Sequence, residues 1–85
     1  MELKDTIALM KSEDFKDRFK AEYFQLKNRY NGLNNMLYKM ENGELDFTPK
    51  SSYELLRTQW VIMGTYLSLL EERARVENIN LNFVE

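Results

Sequence analysis

Cysteine and histidine are both absent from this sequence of 85 residues. Without them there is no disulfide, no thiolate nucleophile, no imidazole base and none of the usual zinc ligand sets, so only carboxylates remain for a hard metal. Proline occurs once and glycine three times, which is scarce punctuation for a β protein. No uninterrupted apolar run is long enough to span a bilayer. The opening MELKDTIALMKSED mixes acids with its lysines around no apolar core, unlike a signal or transit peptide. These absences predict a cytoplasmic chain with no metal site, no cofactor and no membrane partner.

What is present is a folding composition: 44% hydrophobic, 13% aromatic and 31% charged residues, in a length that suits one small domain. The one clear internal break is Asn42 to Ser51, where Asn-Gly stops a helix and Pro49 biases its predecessor away from helix. Before it, Phe15, Phe19, Tyr23, Leu26, Tyr30, Leu33, Leu37 and Met40 are spaced 4, 4, 3, 4, 3, 4 and 3, one stripe on one helical face. Ser12 followed by two acids suits an N-cap, so the first helix is expected over 13–41. After the break, Ser51 and Glu54 fit a capping box that opens a helix over 52–77. Its seam is Leu56, Trp60, Met63, Leu67, Leu70 and Ala74.

The predicted fold is therefore all-α: a single domain over 1–85, with an N-terminal segment 1–12, helix 13–41, loop 42–51, helix 52–77 and tail 78–85. The short connection makes the two long helices an antiparallel hairpin. Its expected core is Phe19, Tyr23, Leu26, Tyr30, Leu33, Leu37, Leu56, Trp60, Met63, Leu67 and Leu70. A second apolar row, Leu55, Ile62, Leu69 and Val76 at steps of seven, is more than one partner helix covers. Two segments of the chain are candidate covers: residues 3–11, with Leu3, Ile7 and Met10 inward, and the alternating tail from Asn78. A second copy is the third, and self-association is the expectation.

No catalytic constellation stands out. Glu71 and Glu72 are adjacent on a helix, so their side chains diverge, and the isolated glycines make no phosphate loop. A net charge of −2 without a basic run argues against duplex nucleic acid. One polar row is suggestive. Gln59, Tyr66 and Arg73 recur at steps of seven along the seam of the second helix. Such a row either flanks a coiled coil or lines a pocket in which Arg takes phosphate, Tyr stacks on a base and Gln reads a base edge.

Written out, that helix is Leu55-Leu56-x-x-Gln59-x-x-x-Met63-x-x-Tyr66-x-x-x-Leu70-x-x-Arg73. The first carries Arg18-Phe19-x-x-Glu22-Tyr23-x-x-Leu26-x-x-Arg29-Tyr30-x-x-Leu33-x-x-Met36-Leu37. Over residues 17–76 the chain resembles the small phage-encoded helical-hairpin proteins that act as cyclic-oligonucleotide sponges against CBASS and related signalling defences. The resemblance implies a non-enzymatic homo-oligomer, a hexamer in the best-known members, that traps cyclic di- or trinucleotides between protomers in the host bacterial cytoplasm. In the matched motifs Arg73, Arg18 and Arg29 are the candidates for phosphate, Tyr66 for stacking and Gln59 for a base edge. The chain departs from that family in its N-terminal segment and Asn-rich tail. The alternative is a phage interaction module that inhibits a host protein, in the manner of an anti-CRISPR or a transcriptional inhibitor, through its second apolar row or acidic second half.

Overall fold

The computed structural model describes residues 1–81. A 3-10 turn, Leu3–Thr6, runs into the one-turn helix α1, Ile7–Met10, followed by the long helices α2, Phe15–Glu41, and α3, Tyr53–Glu77. No strand occurs among the described residues. The hairpin predicted from apolar spacing is present, and the molecule measures 43 × 24 × 21 Å. The first extent is close to the length of α2, whose 27 residues span about 40 Å.

Both predicted N-caps shift along the chain. Asp14, in extended conformation, caps α2 by accepting from the Lys16 amide at 2.9 Å. Ser12 instead folds the approach, accepting from the Asp14 amide and donating to Asp17. Ser52, not Ser51, caps α3, and its hydroxyl accepts from the Leu55 amide at 3.1 Å. The shift places Leu55 at the third helical position, so no carboxylate there can complete a capping box.

Both helix ends are closed by left-handed residues. At the end of α2, Gly43 has φ 67°, and the amides of Gly43 and Glu44 return to the carbonyls of Met40 and Lys39. This Schellman geometry needs the positive φ that glycine adopts without steric cost. Asn78 plays the same part after α3, with φ 59°, and the Ile79 amide donates to the Ala74 carbonyl at 2.8 Å. Lys16 ties down that end by donating from Nζ to the Asn78 carbonyl.

The Asn78 turn aims Ile79 inward. Ile79 joins Phe19, Tyr23, Leu67, Leu70 and Ala74 in the buried cluster, and Leu81 packs on it. Residues 78–81 of the tail thus plug the open end of the hairpin and do not lie on the second apolar row; the tail's remaining positions, 82–85, are outside the described residues. Leu37 is also buried as expected, whereas Leu26, Tyr30, Leu33, Leu56, Trp60 and Met63 are only half-buried, because a helix pair leaves its flanks open.

The N-terminal segment reverses expectation. Leu3, Ile7 and Met10 are exposed, and Thr6 is the residue buried. The segment is held to α2 by polar contacts: Gln25 donates to the Thr6 hydroxyl at 3.0 Å, and Asn28 donates to the Met1 carbonyl at 2.8 Å. Gln25 and Asn28 project from the side of α2 turned away from α3, as does buried Ala21. The segment therefore covers the back of α2 and leaves the second row of α3 untouched. Leu55, Ile62, Leu69 and Val76 are 61%, 63%, 61% and 64% exposed.

Candidate functional site

Two of the polar bridges between α2 and α3 lie near this site. Tyr23 donates from its hydroxyl to Glu71 at 2.8 Å. Burial, reinforced by the Glu71 carboxylate, pushes the Tyr23 phenol up to about 12. One turn closer to the loop on α3, the Tyr66 hydroxyl donates to Glu22.

Glu22 also lines a cleft of about 460 Å³ between α1 and α2, with Arg18 and Arg29 among its walls alongside Gln25, Leu26 and Met10. Arg18 and Arg29 are eleven residues apart, three helical turns, and so share one face of α2. Arg18 is steadied by donating to the Ser12 carbonyl at 2.8 Å. Arg29 makes no hydrogen bond or ion pair among the described residues. The cleft thus holds one positioned and one unengaged guanidinium, and the Glu22–Tyr66 bridge links it to the polar row of α3.

The rest of that row is dispersed. Gln59 belongs to a separate depression of about 390 Å³ with Ser51, Leu55, Ile62 and Met63. Arg73 is committed locally: its Nε donates to Glu77 at 2.9 Å, and its guanidinium lies 5.0 Å from the Phe19 ring centroid. Fourteen residues of helix separate Gln59 from Arg73, about 21 Å, so one protomer cannot bring both to a single nucleotide. Of the five residues singled out from sequence, Arg18 and Arg29 meet in one cleft, Tyr66 reaches its edge, and Gln59 and Arg73 lie elsewhere. Glu22 is the member that sequence reasoning missed. It lies at i+4 from Arg18, but its link to Tyr66 depends on inter-helix register.

The Sequestin family model matches residues 13–76. The chain belongs to the Sequestin family. The Sequestin match takes in α2, the loop and α3, together with every candidate residue above, and leaves out the N-terminal segment and the tail. The name Sequestin is compatible with sequestering a ligand. Comparison with curated proteins and with solved structures returns no match. Among the described residues no helix is long and apolar enough to cross a membrane, and no group of three or more acidic side chains is placed to hold a metal ion.

Proposed function

We propose that this Sequestin is a phage anti-defence sponge of the anti-CBASS type. It binds cyclic di- or trinucleotide messengers in the bacterial cytoplasm and withholds them from their effectors without cleaving them. The observation that carries the reading is the cleft that Arg18 and Arg29 both line on a family-matched helix. Two guanidiniums facing one concavity suit two diester phosphates, and guanidinium forks bind such oxygens bidentately. No residue in this reading acts as an acid, base or nucleophile, and the proposed action is binding without catalysis.

Self-association belongs to the same reading. Leu55, Gln59, Ile62, Tyr66, Leu69, Arg73 and Val76 alternate by four and three residues, a second heptad seam beside the one that meets α2. A neighbouring protomer seated on it places Gln59, Tyr66 and Arg73 at the subunit boundary, where dispersed residues of several chains line shared pockets. A hexamer is the arrangement that the resemblance implies.

The test is calorimetric titration against cyclic di- and trinucleotides, with mass in solution measured in parallel. Binding tighter than about 100 μM, equivalent to roughly 5.5 kcal/mol, by a protein heavier than one chain is the expected result. Arg73→Ala then weakens binding by about 1.5 to 3 kcal/mol with the mass unchanged. If no member of the panel reaches that affinity, the sponge reading is wrong and the exposed row is left for a host protein.

A further inference from the structure

The loop end of the hairpin carries a different cleft, of about 410 Å³, which uses none of the candidate ligand-binding residues above. It is built from two facing rows. Asn34, Tyr38 and Glu41 rise along α2 at steps of four and three, and Tyr53, Arg57 and Trp60 do the same along α3. The Tyr53 hydroxyl donates to Glu41 and fixes the antiparallel register, which sets Arg57 opposite Tyr38 and Trp60 opposite Asn34. At the inner end the Trp60 ring meets Tyr30 edge to face, with centroids 5.2 Å apart.

Four polar groups of this cleft have no side-chain partner among the described residues: three, on Arg57, Asn34 and Asn35, are exposed to solvent, and one, on Trp60, is buried. The Arg57 side chain acts electrostatically on Tyr53 but makes no hydrogen bond or ion pair among the described residues, and Glu41 is already engaged by Tyr53. The amides of Asn34 and Asn35 make no hydrogen bond there either. The indole N–H of Trp60 is buried without an acceptor, a state that costs free energy in a folded protein.

We infer that this cleft is a second nucleotide site, taking one base with its phosphate. The unpaired guanidinium of Arg57 meets the phosphate, Tyr38 and Tyr53 offer flat faces for the base, and the Asn amides supply the donor and acceptor pair that a base edge matches. Ligand sites run from about 300 to 1,000 Å³, and this cleft falls near the lower end. It lies about 24 Å along α2 from the Arg18–Arg29 cleft, taking Glu22 and Tyr38 as their middles.

The inference rests on the sponge reading only for its ligand class, and the chain's single tryptophan lets the two be tested apart. Titrating AMP and GMP into the protein while following Trp60 emission should give a saturable change, with adenosine alone and inorganic phosphate alone weaker by about tenfold or more. Arg57→Gln, at an exposed position, should weaken the AMP response about tenfold and leave the circular dichroism unchanged. A combined Arg18→Ala and Arg29→Ala variant should keep that response while losing calorimetric binding of cyclic oligonucleotides. A response limited to intact cyclic oligonucleotides, but still lost in Arg57→Gln, keeps the site and assigns its base and phosphate to the messenger. No change in Trp60 emission with any of these ligands up to about 1 mM, or an unaltered response in Arg57→Gln, overturns the inference whatever the calorimetry shows.

Discussion

Tyr23 combines a buried ring with a hydroxyl that reaches Glu71 on the opposite helix. The neutral phenol is the form the fold holds, so its contribution is complete below pH 10, the ordinary tyrosine value, and is lost as pH rises toward about 12. Tyr23→Phe keeps the ring and removes both the hydrogen bond and the titration. At pH 8 urea unfolding should find the variant about 1 kcal/mol less stable. Between pH 10 and 12 the wild type should lose stability faster than the variant, so that the gap narrows. A gap that stays constant across that range would show that the phenol does not titrate differently in the fold. Arg73 presents the opposite case, an exposed charge whose nearest partners, Glu77 and the Phe19 ring, lie in its own hairpin. Its availability to a ligand therefore depends on releasing a surface ion pair, which is a weak restraint.

Helix α2 holds its length despite a glycine in its interior. Gly32 is exposed, and a Cβ built there meets nothing within 4 Å. Gly32→Ala should therefore raise stability by about 0.5 to 1 kcal/mol, measured as a shift of the denaturation midpoint with unchanged slope. A destabilised variant would mean that this face is occupied in solution. The extents of α2 and α3 were readable to within two residues because the four-and-three apolar spacing and the Asn42-Gly43 stop are local signals. Caps were harder, since Ser12 competes with Asp14 and Ser51 with Ser52, and backbone angle decides which side chain reaches an amide. The orientation of residues 3–11 was not legible at all: one helical turn is too short for an apolar stripe to dictate, and Thr6, Gln25 and Asn28 place it by hydrogen bonds. For the site, the shared face of Arg18 and Arg29 follows from their spacing. The Glu22–Tyr66 bridge and the loop-end cleft require the register between helices, which no local signal carries.

At the scale of the molecule, α2 lies between two unequal layers: α3 with the Ile79 plug on one side, and the N-terminal segment on the other. The outer side of α3 remains bare along Leu55, Ile62, Leu69 and Val76. Placing lysine at both Ile62 and Leu69 should reduce the mass seen by light scattering to that of one chain, 10.2 kDa, while the helical circular dichroism persists. An unchanged mass would move the subunit contact to another face. The position of Ile79 bears on how the chain is made. Phe19 and Tyr23 are synthesised before the rest of their cluster, which is complete only when Leu67, Leu70, Ala74 and Ile79 have followed. At about 5 to 20 residues per second, the interval from Phe19 to Ile79 is roughly 3 to 12 s. During that time the first helix exists before the partner that buries its apolar stripe. The buried core of the hairpin is thus complete only once Ile79 has been made, so its closure cannot precede synthesis of the Asn78 turn that aims Ile79 inward.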